Sequence, residues 1–143
     1  MKLKKNREEK INEYIRRDPF SRFLGAEVEI TGPGRSRAVL TVTDDMVNFH
    51  GRTHGGVIFA LGDAAFAAAS NSRGQKAVAL NVGISFLKAT GSGDRLIAEA
   101  REESASGPIA LYDIVIKEEE TGQPVARSQN LVYRKKEWFV PET

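Results

Sequence analysis

The run Val57-Ile58-Phe59-Ala60-Leu61-Gly62-Asp63-Ala64-Ala65-Phe66-Ala67-Ala68-Ala69 differs in kind from the rest of this chain. It is rich in alanine, the best helix former, and Asp63 is its only charged residue. Gly55-Gly56 precedes it, and Ser70-Asn71-Ser72-Arg73-Gly74 follows with turn formers and a glycine suited to a helix C-terminus. A helix apolar on almost every side is expected to be wrapped by other structure instead of lying on a surface.

The segments on either side supply the wrapping. Upstream, Glu8 to Arg17 reads as a helix with Ile11, Tyr14 and Ile15 on one stripe. Asp18-Pro19 is an N-cap followed by proline at the first helical position, opening a short turn of helix that Gly25 stops. From Ala26 the period changes to two. Ala26, Val28 and Ile30 alternate with Glu27 and Glu29, Gly32-Pro33-Gly34 turns the chain, and Arg35 to Thr43 returns as the second arm of a hairpin. Downstream, four strands are expected: one through Val78 to Phe86, then Arg95 to Glu103, Ile109 to Glu119 and Gln123 to Lys135. The order is α-β-β-α-β-β-β-β. A long antiparallel sheet curling round one central helix, preceded by an N-terminal helix, satisfies it, an α+β architecture.

Composition sets the outer limits. The 143 residues suit one domain, 1–143, with residues 1–24 as a helical segment packed on it. The 41% hydrophobic and 28% charged content is that of a globular protein, and a net charge of +2 gives no argument for nucleic acid. Lys2, Lys4, Lys5 and Arg7 are soon followed by Glu8 and Glu9, and read as a solvated tail flanking the first helix. No stretch is apolar enough to span a bilayer, so no membrane role is expected. The chain has no cysteine, which removes disulfides, thiolate metal sites and a Cys nucleophile, and makes a cytoplasmic home the default.

Asp63 is the residue that stands out. Its helical neighbours three and four positions away are Phe59, Ala60, Phe66 and Ala67, so no polar patch lies close by. Such a carboxylate must find donors or rise in pKa, which is how a general base near neutrality is made. The competing reading is an acid satisfied by backbone N–H groups or by an arginine of the sheet. His54-Gly55-Gly56 opens the same helix, where free N–H groups beside the positive end of the helix dipole suit a carbonyl oxygen gaining negative charge. A tight loop entering a helix explains the glycines equally, and capping suits His54 better than base chemistry. Asn48 and His50 either orient water or hold the preceding loop. Gly55 and Asp63 are eight positions apart, about 12 Å along a helix axis. Both cannot touch one reacting group from a single helix. Two antiparallel copies about a two-fold axis can bring Gly55 of one to Asp63 of the other, so joint catalysis requires at least a dimer with two equivalent sites.

Asn48-Phe49-His50, Thr53-His54-Gly55-Gly56, Phe59-Ala60-Leu61-Gly62-Asp63-Ala64-Ala65-Phe66 and Asn71-Ser72-Arg73-Gly74 together resemble the signature of PaaI-type thioesterases, hotdog-fold hydrolases of acyl-CoA. The likeness extends from Phe23-Leu24-Gly25 to the last strand, including Ile84-Ser85-Phe86-Leu87. It implies that Asp63 activates water or attacks the thioester directly, that the Gly55 N–H polarises its carbonyl, and that Asn48 and His54 position water or the Gly55 loop. It further implies a coenzyme A thioester as partner, phenylacetyl-CoA-like esters above others, no metal or other cofactor, and assembly as a homodimer or homotetramer. Some relatives carry Ser or Thr where this chain has Ala79, which bears on acyl specificity. Gly56 and Phe59 are candidate substrate contacts, and Arg73 and Lys88 candidate phosphate contacts, against the plainer readings of core aromatic and surface cation. A non-hydrolytic acyl-CoA sensor and an enoyl-CoA hydratase are the alternatives. The latter is weakened by having only His50 and His54 to draw on.

Overall fold

A computed structural model of the chain describes residues 2–141. It contains helices α1 (Lys2–Arg16) and α2 (Pro19–Leu24), strands β1 (Glu27–Gly32) and β2 (Arg35–Thr41), a 3-10 turn at Asp44–Met46, and helix α3 (Gly55–Ser70). Strands β3 (Gln75–Phe86), β4 (Arg95–Ser106), β5 (Ile109–Glu118) and β6 (Pro124–Trp138) follow. The strands form one six-stranded sheet in the order β1-β2-β4-β5-β6-β3, with every neighbouring pair antiparallel. This is the hotdog arrangement expected from the order of elements, with α3 as the filling.

The first helix begins at Lys2, not at Glu8, so the basic opening is part of α1 and not a tail beside it. Lysine, leucine and arginine are good helix formers and nothing in this stretch breaks a helix. Ile11 is buried against the body of the protein, Asn12 Oδ1 accepts the Ile30 N–H at 3.3 Å, and Arg7 donates to the carbonyls of Arg73 and Pro141. Asp18 caps α2 by accepting from the Ser21 N–H at 3.2 Å and from its hydroxyl at 2.6 Å. Gly25 ends α2 at φ 73°, a left-handed conformation that costs glycine nothing.

The core lies between α3 and the concave face of the sheet. Leu61, Ala65, Phe66 and Ala69 meet Leu40, Leu96, Tyr112, Ile114 and Ile116. Phe66 packs edge-on to Tyr112 with centroids 5.6 Å apart, so this aromatic is core. A Cβ on Gly62 would lie 3.1 Å from Ile116 Cδ1, so the absent side chain lets α3 approach β5 closely. The hydroxyl of buried Ser36 on β2 donates to the Ala65 carbonyl and ties strand to helix.

Two further expectations need correction. The cap of α3 is Asn71, whose Nδ2 donates to the Ala67 carbonyl at 2.9 Å and whose Oδ1 accepts from the Ala77 N–H at 2.9 Å. Gly74, at φ 84°, lies beyond it in the turn to β3. Secondly, the sheet does not cover α3 on all sides. Gly56, Phe59, Asp63 and Ala67, three or four positions apart and so on one face, are exposed. Six strands curl round one side of a helix only, and its apolar residues therefore divide between an inner face and an open stripe. No helix among the described residues is long and apolar enough to cross a membrane.

Candidate active site

The loop before α3 is built by its polar residues. Asn48 Oδ1 accepts the backbone N–H groups of His50 at 2.9 Å and Arg52 at 3.2 Å, a side-chain turn that asparagine favours. Thr90 donates its hydroxyl to Thr53 at 2.7 Å where both are buried, anchoring the end of the loop to the β3–β4 connection. His54 is the N-cap of α3, with φ −61° and ψ 134°, and its Nδ1 accepts the Gly56 N–H at 2.9 Å. One histidine nitrogen and the Gly56 amide are thereby occupied with each other. The Gly55 N–H donates to no group among the described residues. It stands at the positive end of α3, and the Gly55 Cα faces the Phe86 ring, with 3.5 Å from an added Cβ to Cζ.

Gly55 opens into a cleft of about 370 Å³ that also contains Arg52, Thr53, Phe86 and Lys88. Lys88 is held at its mouth by Glu118 at 2.7 Å and Gln123 at 2.6 Å. That contact keeps the Glu118 carboxyl below its ordinary range. Arg73 is elsewhere. Past the far end of α3 it forms a two-pronged pair with Glu102, at 3.1 and 3.2 Å, and Glu102 also accepts from Tyr112 Oη at 3.1 Å. Burial, foremost, and the Glu102 charge push the Tyr112 hydroxyl upward.

Asp63 lies in a different cleft, of about 480 Å³, between α3 and the N-terminal helices. Ala60, Ala64 and Ala67 form its alanine side, and Tyr14, Asp18 and Phe20 line the opposite wall. The carboxyl has no hydrogen bond or cation partner among the described residues, so neither form of satisfaction by donors occurs. Burial, and to a smaller extent the charge of Asp18, raises its pKa. The residue is exposed because the cleft is open, yet the groups that line the cleft displace part of the water round the carboxyl. Phe59 shares the exposed stripe and is 40% exposed.

Within one chain Gly55 and Asp63 therefore face separate cavities, as their spacing along the helix demands. Sequence read Tyr14 only as part of the α1 stripe and Asp18 only as the cap of α2, and it gave Phe20 no role. Tyr14 lies on the stripe that Ile11 anchors but is 54% exposed, and only the path of α2 brings Phe20 and Asp18 opposite α3. Ala79 sits on β3 opposite Val132 and offers no hydroxyl to the site.

Comparison with known proteins identifies the family. The model of the Thioesterase superfamily matches residues 50–125, a span that includes Gly55 and Asp63. The acyl-coenzyme A thioesterase PaaI of Escherichia coli K12 is 38% identical over 99 residues, covering 69% of this chain and 71% of that protein. The solved structure of the E. coli PaaI protein from the phenylacetic acid degradation operon superposes with a TM-score of 0.87 at 30% identity, covering 93% of this chain and 96% of the other. The smu.793 protein of Streptococcus mutans, solved bound to acetyl CoA, is 26% identical with a TM-score of 0.72, over 77% of this chain and 88% of that one. Sequence and fold agree, and the chain belongs to the Thioesterase superfamily as a PaaI-type hotdog thioester hydrolase.

Proposed function

We propose that this protein hydrolyses acyl-CoA esters, phenylacetyl-CoA-like esters preferentially, in a site assembled from two copies of the chain. The observation that carries the reading is Asp63: a carboxyl with no hydrogen-bond or ion-pair partner among the described residues, raised in pKa, in an open cleft whose α3 side is alanine, on the helix whose first N–H has no acceptor among those residues either. In the reaction Asp63 removes a proton from water as the water oxygen attacks the thioester carbonyl. The oxygen of the tetrahedral intermediate takes the hydrogen bond of Gly55 from the other copy, reinforced by the helix dipole. Collapse breaks the C–S bond, and the proton held by Asp63 goes to the departing CoA sulfur. Direct attack by Asp63 would instead form an anhydride that water then cleaves. His54 and Asn48 act by shaping the Gly55 loop, and Lys88 and Arg52 stand near Gly55 where CoA phosphates could pass.

Self-association is supported by the unequal edges of the sheet. Asn12 of α1 occupies the β1 edge, whereas β3 leaves its edge open and carries exposed Val78 and Leu80. The open stripe on α3 points to a second copy as well. A cytoplasmic location, where CoA esters are made, completes the reading.

The test is thiol release from a panel of acyl-CoA esters. Asp63→Asn is expected to lower kcat at least about 100-fold, as loss of a general base does, with the far-UV spectrum unchanged. Full turnover in that variant would end the proposal.

A further inference from the structure

We propose that the N-terminal helical segment recognises the acyl group: Tyr14 of α1 and Phe20 of α2 form the wall of the Asp63 cleft that selects thioesters whose acyl end is a flat aromatic ring. The inference rests on hydrolysis at Asp63 and adds the elements that set its specificity.

Four observations converge on it. Tyr14 and Phe20 are 54% and 58% exposed, so each keeps about half of its ring surface open besides its contact with Phe139 or Phe23. Both line the cavity that holds Asp63. The opposite side is Ala60, Ala64 and Ala67, so small side chains leave the space between wall and helix empty, and its volume of about 480 Å³ is that of a small-molecule pocket. Finally, both aromatics are held from behind. Tyr14 stacks on Phe139 with centroids 4.5 Å apart and 24° between planes. Phe20 is positioned by α2, whose start is fixed by the Asp18–Ser21 cap. A ring entering between them meets surfaces already oriented, so little order is lost on binding. An acetyl group is too small to span from the alanines to the aromatic wall and gains nothing from it.

The experiment compares kcat/KM for phenylacetyl-CoA and acetyl-CoA in the unmodified protein and in Phe20→Ala, Phe20→Leu, Tyr14→Leu and Tyr133→Leu. Tyr133, 42% exposed on β6, lies outside the cleft and serves as control, whereas Phe23 stacks on Phe20 and cannot. The preference for the aryl ester is expected to fall about tenfold or more in Phe20→Ala and Tyr14→Leu, chiefly through KM, and to stay level in Tyr133→Leu. Phe20→Leu, which keeps bulk without the ring, is expected to lie between. Equal losses on both esters, or an unchanged preference with an altered sedimentation coefficient, would overturn the proposal and make these residues a subunit contact. A separate readout needs no turnover: saturation transfer from the protein to phenylacetate in NMR, expected to vanish in Phe20→Ala. Persistence of that signal refutes the aryl wall. A protein inert to every ester but losing its phenylacetate signal in Phe20→Ala refutes hydrolysis alone.

Discussion

The carboxyl of Asp63 is raised in pKa by burial and, secondarily, by Asp18, and this has a cost in stability. A group that holds its proton more tightly folded than unfolded makes the native state bind more protons between its two pKa values. Stability therefore falls as pH rises from the ordinary carboxylate range through the raised value, and the penalty is complete above it. Asp63→Asn is expected to melt about 2 °C higher at neutral pH, a small gain because the carboxyl is partly exposed, and to lose that gain in acid below the ordinary aspartate range. Scanning calorimetry at two pH values reads both. For activity the sign is opposite: a general base works deprotonated, so kcat/KM rises with pH through the raised pKa, and Asp18→Asn moves that rise toward lower pH. An unmoved profile would show that the Asp18 charge does not reach the base. Gly55 permits a cleaner excision. It is the first residue of α3, where proline fits, and His54 before it already has the extended backbone that a following proline requires. Gly55→Pro replaces that N–H by a ring carbon, and its Cβ would meet Phe86 Cζ at 3.5 Å, an ordinary contact. Its melting temperature is expected to stay close to that of the parent while kcat drops about 100-fold, the usual effect of losing an oxyanion donor.

At the scale of the element, α3 is set by how closely it lies on the sheet. Gly62 faces β5 with Ile116 3.1 Å from where a Cβ would be, so Gly62→Val forces the two apart. A destabilisation of about 1–3 kcal/mol is expected from overpacking, measured by urea denaturation. The helix was legible because thirteen nearly uncharged, alanine-rich positions between turn formers admit few other structures, and the first strand because Ala26, Val28 and Ile30 alternate with Glu27 and Glu29. Strand limits were less legible: β3, β4 and β6 each run beyond the alternating core of their sequence. In β3 the register shifts between Ala79 and Asn81, an extra residue at Leu80 that no pattern of two can announce. The open stripe of α3 was also hidden. Phe59 and Phe66 look alike in sequence, yet one is 40% exposed and the other 2%, because helical phase relative to the sheet is a tertiary property. The acid and the glycine pair were visible as chemical oddities. Tyr14 read as an ordinary helix hydrophobe and Phe20 drew no reading, since what they face depends on the turn between α1 and α2.

For the molecule as a whole, a site shared by two copies makes a prediction that no single-chain site can meet. Asp63→Asn and Gly55→Pro are each inactive by the reading above, but subunit exchange between them yields heterodimers in which one of two sites has both groups intact. About a quarter of the parental activity should return on mixing, since half of randomly formed dimers are mixed. No recovery, with exchange verified by mass spectrometry, would place both groups of each site in one chain. Replacing exposed Leu80 on the open β3 edge by lysine is expected to weaken the dimer and turnover together in sedimentation and kinetic assays. The N-terminal helix, finally, is fastened at few points: Ile11 in the core, Asn12 on β1, Tyr14 on Phe139 and Arg7 on two carbonyls. So lightly moored an element opens at a free energy below that of the sheet it covers. Warming should thus blunt the enzyme's discrimination before it stops the enzyme, and the protein would pass through a range of temperatures in which it still cuts but no longer chooses.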